Sequence, residues 1–357
     1  MNVLDSREEI VKVDPKGGLL SVEQIGSQVK QTWDEMQTVE FPEEYRQVQN
    51  IVVAGMGGSA YGTHVIQTLF KDELKVPVFS IPDYKLPAWV NENTLVVLSS
   101  YSGSTEETLS AAEDAKSKNA KIAGLTSGGK LADFLKAGNY PRFIFDPKFN
   151  PCGQPRYAVG YSVFGQMLLL ARAGFISILQ SDFQEVLDVI AEAHLRFSVA
   201  VPNDKNEAKL LAFEIAGRVP IVTVAEHLEG AGHVVANALN ETAKSYSEYR
   251  VIPELNHHLM EGLVFPKSNE ANLLFLLVHS NLYSPSNEKR MKLTGQVVEK
   301  NNCEFREITL KSKTKIGQVF ELLMLGIYTA FDLAIIGVQD PVEIPWVNWF
   351  KSELKKS

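Results

Sequence analysis

The stretch LVVLSSYSGSTEET, residues 95–108, contains a strand signal, a turn and a helix start in direct succession. Its first four residues form a short apolar run that is typical of a buried strand. The turn is rich in hydroxyl groups, contains a glycine, and leads into residues of helical composition. Free N–H groups and the helix dipole favour an anion at such a helix start. The stretch therefore predicts a βα unit whose turn binds a phosphate group.

A second interpretation of this turn needs no ligand. The sequence Ser104-Thr105-Glu106-Glu107 matches a capping box, in which side chains satisfy the free amides of the helix start. One capping serine would be enough for that role, however, and Ser100, Ser102 and Thr105 would remain in surplus. We therefore favour the phosphate site and keep the capping box as the alternative.

Strand and helix signals alternate on both sides of this unit. The predicted strands are 51–54, 76–81, 95–98, 121–125, 220–224, 273–278 and 304–309. Short apolar runs that alternate with helices favour a parallel sheet covered on both faces. The order strand, loop, glycine, helix recurs in residues 52–58 and 222–230, which indicates a weak internal repeat. We predict an α/β protein of two similar, doubly wound domains in tandem, each a mainly parallel sheet flanked by helices, with ligands at the strand C-terminal ends.

The composition shifts along the chain predict where the domains begin and end. Helical spacing leads the chain, and the breaker-rich stretch 149–155 precedes a further long apolar helix predicted over 158–173. We expect an N-terminal helical segment at 1–40, a first domain at 41–152, linker helices at 153–200, a second domain at 201–335 and a C-terminal helical tail at 336–357.

Composition excludes several classes of partner. The 357 residues carry a net charge of −8 with dispersed Lys and Arg, which argues against nucleic-acid and anionic-membrane binding. The two cysteines, Cys152 and Cys303, argue against a disulfide framework and favour a reducing compartment. We find no Cys/His cluster with metal-ligand spacing, no signal peptide and no apolar run of membrane-spanning length. We expect a cytoplasmic protein without a metal.

The glycine turn Gly55-Met56-Gly57-Gly58-Ser59 lies between a buried strand and a helix. Its glycines permit close backbone approach, and Ser59 can offer a hydroxyl and an amide to an anion. An ordinary tight βα turn explains the motif equally well. The spacing matches neither the dinucleotide-binding fingerprint nor a Walker loop, so we expect no nucleotide cofactor.

Three side chains elsewhere are candidates for proton chemistry. Glu241 and His257 supply a carboxylate and an imidazole, the usual pair for general acid–base catalysis, although each alone is typical of a solvated surface. Arg156 stands at a helix start, where the dipole disfavours a cation. It therefore indicates a partner carboxylate or an anionic intermediate, and an ion pair between domains is an equal alternative.

Taken in order, these elements resemble the bifunctional phosphoglucose/phosphomannose isomerase family, whose members contain two sugar isomerase (SIS) domains. The resemblance extends over nearly the whole chain and is highly specific as a set. Its motifs are GMGGS (55–59), SYSGSTEET (100–108), PRYA (155–158), NETAK (240–244), PELNH (253–257) and DPVE…FK (340–351).

The resemblance implies a role for each candidate residue. Glu241 would move the proton between C2 and C1 of the sugar, and Arg156 would stabilise the cis-enediolate. His257 would open the sugar ring, and Lys351 would act near the ring oxygen or the C1 hydroxyl. The residues implied to bind the substrate phosphate are Gly58, Ser59, Ser100, Ser102 and Thr105.

The implied activity is that of a glucose/mannose-6-phosphate isomerase, which forms fructose 6-phosphate through a cis-enediolate without a cofactor. In the family the histidine reaches the site from the other subunit, so we expect a homodimer. The alternative is a non-catalytic SIS protein that senses a sugar phosphate. Such a role usually needs an attached DNA-binding or partner-binding unit, and residues 1–40 are too few and too acidic for one.

The chain differs from the family pattern at a few positions. Ser104 stands where members commonly have asparagine, and His258 and Leu259 replace an Asn-Glu pair after His257. Members that use both epimers carry threonine where this chain has Ile344.

Overall fold

Two parallel β-sheets organise the computed structural model, which describes residues 3–356. The first sheet has the strand order β2-β1-β3-β4-β5 and the second has the order β7-β6-β8-β9. The strands are β1 Asn50–Gly55, β2 Val78–Ser80, β3 Thr94–Ser99, β4 Lys121–Thr126, β5 Arg142–Ile144, β6 Val219–Ala225, β7 Glu248–Ile252, β8 Leu273–His279 and β9 Glu304–Thr309.

Helices connect these strands and surround both sheets. The α-helices of residues 3–356 are α1 Arg7–Val13, α2 Gly18–Glu23, α3 Ile25–Met36, α4 Tyr61–Leu69, α5 Glu106–Ser117, α6 Gly129–Ala137, α7 Gly165–Arg172, α8 Gln180–Phe197, α9 Glu207–Ile215, α10 Glu229–Glu241, α11 Leu259–Gly262, α12 Asn269–Asn272, α13 Pro285–Lys300, α14 Lys315–Ile336 and α15 Pro345–Leu354. The 3₁₀ turns are Val3–Asp5, Glu43–Gln47, Gly57–Ala60, Pro155–Tyr157, Asn203–Lys205, Glu226–Leu228 and Glu254–His257, and Gly160–Phe164 is π-helical.

The two sheets repeat one topology. In each, the first strand along the chain lies between the second and the third, and the fourth pairs with the third, always in parallel. Strands β1 to β4 thus correspond to β6 to β9, and β5 is an addition to the first sheet. This topology confirms the predicted α/β fold of two similar domains in tandem.

Both faces of the first sheet are buried, as the unbroken apolar runs predict. Val52 and Val96 face a core formed with α5 and α6, whereas Val53 and Val97 face the larger core that continues into the second domain. The carboxyl ends of these strands therefore remain as the edge at which the loops can bind a ligand.

Helix α14 is the core helix of the molecule and corrects one prediction. It has 22 residues and is apolar enough, by length and composition, to cross a membrane, so the expectation that no such run exists was wrong. In the structure, however, 94% of its apolar window is buried inside the protein, where it packs against α8, α9 and α10. Being apolar on every side, it shows no helical period in the sequence.

Other elements differ from their predicted bounds for identifiable reasons. The helix predicted over 158–173 starts with the π-helical turn Gly160–Phe164 and becomes α-helical at Gly165. Strands β5 and β7 were not predicted. Strand β5 has only three residues, and the sequence of β7, Glu248-Tyr249-Arg250-Val251-Ile252, is half-exposed at a sheet edge and lacks an apolar run.

The predicted ranges 41–152 and 201–335 each enclose one of the two sheets, and we retain them as the proposed domain division. The predicted linker helices at 153–200 pack into the core, where α7 contacts α3 and α8 contacts α14. Helices α1 to α3 fall in the proposed N-terminal segment and α15 in the tail. Residues 1, 2 and 357 of those terminal segments lie outside the described residues.

The two domains meet where α4 crosses α10. A Cβ added at Gly230 of α10 would lie 2.3 Å from the carbonyl oxygen of His64 in α4, so the helices approach as closely as their backbones allow. Beside this contact, the rings of His64 and His233 meet edge to face with their centroids 4.4 Å apart. Because α4 and α10 follow the first strand of each domain, their crossing fixes the relative position of the two sheets.

We predict that Gly230→Ala lowers the free energy of unfolding by about 1–3 kcal/mol, because the new methyl group must displace a backbone carbonyl. The control is Gly26→Ala in α3, where a Cβ would lie 3.5 Å from Ile190 and make an ordinary contact. That change should be neutral or stabilise the protein by about 0.5–1 kcal/mol, since alanine favours a helix. Urea unfolding of both variants measures the difference, and equal stabilities would contradict the close crossing.

Candidate active site

The turn after β3 is closed by its own hydroxyl groups. Ser100 Oγ lies 2.8 Å from Thr105 Oγ1 and accepts a hydrogen bond from the N–H of Gly103 at 3.1 Å. Gly103 has a φ of +63°, and a Cβ there would lie 1.8 Å from the carbonyl oxygen of Gly128. Only glycine allows this approach of two loops, which holds the turn against the loop after β4.

The capping box that was the alternative for this turn is wrong. Helix α5 begins after Thr105, and the Thr105 side chain makes no capping hydrogen bond to the first turn of the helix. The hydroxyl of Ser104 donates to Ser102 Oγ instead, at 3.1 Å. Uncapped amides at a helix start are the groups that bind an anion.

The glycine turn after β1 is tied directly to this hydroxyl turn. Ser59 Oγ accepts a hydrogen bond from the N–H of Tyr101 at 2.9 Å, and its carbonyl accepts one from Ser99 Oγ at 2.6 Å. A Cβ added at Gly58 would lie 3.0 Å from the backbone of Pro155. The structure thus brings the Gly58–Ser59 turn, the hydroxyl turn and the segment that carries Arg156 to one place.

A guanidinium of the linker segment and a carboxylate of the second domain meet at this place. Arg156 Nη1 lies 3.7 Å from Glu241 Oε2, and the Arg156 side chain is 1% exposed whereas that of Glu241 is 35% exposed. The hydroxyl of Tyr61 donates to Glu241 Oε1 at 3.5 Å. Burial, together with the Glu241 carboxylate, raises the pKa of Tyr61 well above its ordinary value, so its hydroxyl remains a neutral donor.

The other N–H groups of Arg156 fix its orientation. Nε donates to Thr242 Oγ1 at 3.2 Å, and Nη2 donates to the carbonyls of Pro341 and Val342 at 2.7 Å each. Nη1 donates to Gln154 Oε1 at 3.2 Å in addition to facing Glu241. The partner carboxylate and the ion pair between domains, which the sequence left as alternatives, are therefore one and the same contact.

Lys244 has a place in this arrangement that the sequence did not predict. Its Nζ donates to the carbonyl of Thr242 at 3.1 Å and to that of Asp340. Burial, followed by the positive charge of Arg156, lowers the pKa of Lys244 to about 8. Lys244 and Arg156 together donate to the three consecutive carbonyls of residues 340, 341 and 342. We call the segment 340–343 the C-terminal strap.

A cleft of about 550 Å³ opens beside the strap, with Lys244, Asp340 and Trp346 among its walls. Its volume lies in the usual range for small-molecule sites. Asn240, the residue before Glu241 in the chain, also lines it.

His257 and Lys351 make no polar contact with this cluster. His257 is exposed at the end of a 3₁₀ turn, and Lys351 is exposed on helix α15. Across residues 3–356, no hydrogen bond or ion pair joins either side chain to Glu241 or Arg156. The neighbouring His258 is engaged elsewhere, with its Nε2 2.8 Å from Glu254 Oε2.

The sequence did not identify Tyr61 and Lys244 as parts of the site, because only the tertiary fold brings them close to Glu241 and Arg156. Tyr61 follows the glycine turn, but no sequence signal links it to Glu241. Lys244 does lie in the NETAK motif, and its position next to DPVE could be found only from the fold. The part of the chain that the structure describes contains no group of three His, Cys, Asp or Glu side chains that could hold a metal ion.

Comparison with family models matches both halves of the chain. Residues 44–132 match the SIS domain, and residues 204–354 match the bacterial phospho-glucose isomerase C-terminal SIS domain. The fold and these matches define the class as proteins built from two SIS domains in tandem.

Similar proteins narrow the class to one family. A bifunctional phosphoglucose/phosphomannose isomerase of Caldicellulosiruptor bescii is 31% identical over 94% of this chain and 98% of its own length. One from Thermoplasma volcanium is 29% identical over 85% of this chain and 91% of its own length. The chain belongs to the bifunctional phosphoglucose/phosphomannose isomerase family.

Solved structures show the same fold at low sequence identity. A hypothetical protein from Thermus thermophilus aligns with a TM-score of 0.73 at 17% identity, covering 95% of this chain and 90% of its own. A glucose-6-phosphate isomerase-like protein from the same organism aligns with a TM-score of 0.60 at 18% identity, covering 96% and 98%.

We predict that Lys244→Met lowers the kcat/KM of isomerase turnover about tenfold, because it removes a charged donor that holds the strap. Lys244→Arg keeps a cation there. Since the pKa of Lys244 is about 8, wild-type activity should fall as the pH rises through that value, whereas Lys244→Arg should stay active. Initial rates from neutral to alkaline pH test this, and a methionine variant with the wild-type profile would contradict it.

Proposed function

We propose that the protein is an aldose–ketose isomerase that interconverts glucose 6-phosphate, and mannose 6-phosphate, with fructose 6-phosphate. The observation that carries the proposal is the Glu241 carboxylate held between Arg156 and Tyr61 at the junction of the two domains. The family to which the chain belongs supports the same reaction.

The reaction needs a base for a carbon acid and a positive charge for the resulting oxyanion. Glu241 is exposed enough to reach a substrate and takes the proton from C2 of the open-chain aldose, then returns it to C1. The negative charge that develops on the enediolate oxygens is stabilised by Arg156, whose Nη1 lies beside the same carboxylate. Because the remaining donors of Arg156 are already bound, its charge needs no reorganisation during the step.

The phosphate group provides the binding energy that orients the sugar. Gly58, Ser59, Ser100, Ser102 and Thr105 hold it at the start of α5, where uncapped amides offset the unfavourable net charge of the protein. Binding at this remote group can be used to position C1 and C2 at Glu241.

The ring-opening step needs a further acid–base group, and we assign it to His257, with Lys351 near the ring oxygen or the C1 hydroxyl. Both side chains are exposed, and within residues 3–356 neither makes a hydrogen bond or an ion pair with Glu241. We therefore propose a homodimer in which His257 enters the site of the other subunit.

Helix α15 supports this dimer. Trp346, Trp349 and Phe350 are 80%, 58% and 57% exposed, and none of the ten residues of this helix is buried. An apolar surface of this kind is typical of an interface. A second copy of the chain would cover it and would bring a second set of His257 and Lys351 to the two sites.

We place the protein in the cytoplasm, because Cys152 and Cys303 are unpaired.

We expect Glu241→Gln to lower kcat for glucose 6-phosphate at least about a hundredfold, since the amide cannot accept the C2 proton. Glu299→Gln on the exposed face of α13 is the control and should retain full activity. A coupled assay with each hexose phosphate, run in EDTA, measures both variants. Equal turnover by Glu241→Gln would refute the proposed base, and hexose-phosphate binding without any wild-type turnover would favour the non-catalytic sensor.

The dimer has its own test in the double variant Trp349→Glu/Phe350→Glu. Two carboxylates on α15 should make the protein monomeric in light scattering and should reduce turnover, because each site then lacks His257 of the other subunit. Leu195→Glu, at an apolar residue of α8 that is 75% exposed, is the matched control and should remain dimeric. A wild-type monomer with full activity would contradict the proposal.

A further inference from the structure

The second domain has a counterpart of the phosphate turn. Strand β8 corresponds to β3, and the loop from Ser280 to Ser284 leads from it into α13, as the turn from Ser100 to Thr105 leads from β3 into α5. Because the topology repeats, the start of α13 lies at the carboxyl edge of its sheet in the same way. It is therefore the place where a second phosphate could be expected.

A carboxylate of the protein occupies that place. Glu226 Oε1 accepts a hydrogen bond from the N–H of Ser284 at 2.8 Å and one from Asn287 Nδ2 at 2.7 Å. Ser284 is the N-cap of α13, and its Oγ accepts a hydrogen bond from the N–H of Asn287 at 3.4 Å, while Pro285 at the first helical position has no N–H. Glu226 therefore binds the N–H of the cap residue and the side chain of Asn287 rather than a free amide of the first turn. Burial acts to raise the pKa of Glu226, but the hydrogen bonds from Asn287 and Ser284 lower it by more. The side chain is therefore an anion at neutral pH.

The backbone explains how this carboxylate reaches the helix. Glu226 has a φ of +49°, and it is the first residue of the 3₁₀ turn that follows β6. Gly57 has a φ of +51° and is the first residue of the corresponding turn after β1. A Cβ added at Gly57 would meet no atom within 4 Å, so the first domain is open where the second carries the Glu226 side chain.

A residue other than glycine rarely adopts this conformation, because its Cβ is crowded by the backbone. The two hydrogen bonds to Glu226 offset this unfavourable crowding, since bonds to a charged acceptor are among the stronger ones. The same backbone conformation is thus adopted by Gly57, beside which the start of α5 is open, and by Glu226, whose side chain binds at the start of α13.

We infer that Glu226 is an internal anion that takes, in the second domain, the position that the substrate phosphate takes in the first. The inference rests on the proposed phosphate turn at Ser100. It means that each chain binds one sugar phosphate and that the two domains divide the work. The first domain binds the phosphate, and the second supplies Glu241 from the end of α10.

Equilibrium dialysis with inorganic phosphate as the probe counts the sites. The wild-type protein should bind one phosphate per chain, and Ser100→Ala should remove it. Glu226→Ala should bind two, of which one survives the additional change Ser100→Ala. Glu226→Gln is the matched control, because its amide oxygen still accepts from Ser284 and the count should remain one.

Each other outcome has a definite meaning. Two phosphates per wild-type chain, or no additional phosphate in a folded Glu226→Ala, would overturn the inference and leave the proposed reaction untouched. A wild-type phosphate that survives Ser100→Ala would refute the phosphate turn, and with it the comparison of the two domains.

The reciprocal variant does not depend on the stability of Glu226→Ala. Gly57→Glu should place a carboxylate at the start of α5, as Glu226 does at α13, and should abolish phosphate binding. Gly57→Lys has a similar reach and the opposite charge, and it should retain the phosphate. If both variants bind phosphate as tightly as the wild type, this position does not reach the helix start, and the inference fails.

Discussion

The guanidinium of Arg156 is the group on which the arrangement of the site depends. A single buried side chain contacts Glu241 and Thr242 of the second domain, Gln154 of its own segment and two carbonyls of the C-terminal strap. A buried charge is tolerated only when its donors are satisfied, so each of these partners is needed. Removing one would leave an unsatisfied donor on a buried charge, which explains why the strap and the end of α10 converge there.

The two domains have the same topology and different chemistry. Their helices α4 and α10 cross at Gly230, and this contact aligns the open helix start of the first domain with the carboxylate at the end of α10 in the second. In the proposed reaction the phosphate and the reacting carbons of one sugar are several bonds apart. A division of the site between two sheets that are rigidly packed together suits that geometry.

The sequence predicted the parts of the fold that local chemistry determines. Strands β1 to β4 and the glycine turns of the first domain follow from short apolar runs and from positions such as Gly103 that no other residue can occupy. Helix α14 and strands β5 and β7 were missed, because α14 is apolar all round, β5 has three residues and β7 is half-exposed. The sequence indicated a partner carboxylate, an anionic intermediate or an ion pair between domains for Arg156, but it did not identify Glu241 as the carboxylate, because 85 residues separate the two along the chain. Lys244 and Tyr61 could not be assigned, since only tertiary packing brings them to the site.

The central claim is that Glu241 moves a proton between two carbons of a sugar phosphate beside the fixed charge of Arg156. The most direct measurement is turnover of glucose 6-phosphate in D₂O, with deuterium at C1 and C2 followed by NMR. A base that exchanges with solvent predicts deuterium in the sugar with the wild-type protein and none with Glu241→Gln. Isomerisation over many turnovers with the C2 hydrogen transferred to C1 and no solvent deuterium would indicate a hydride shift and would contradict the account.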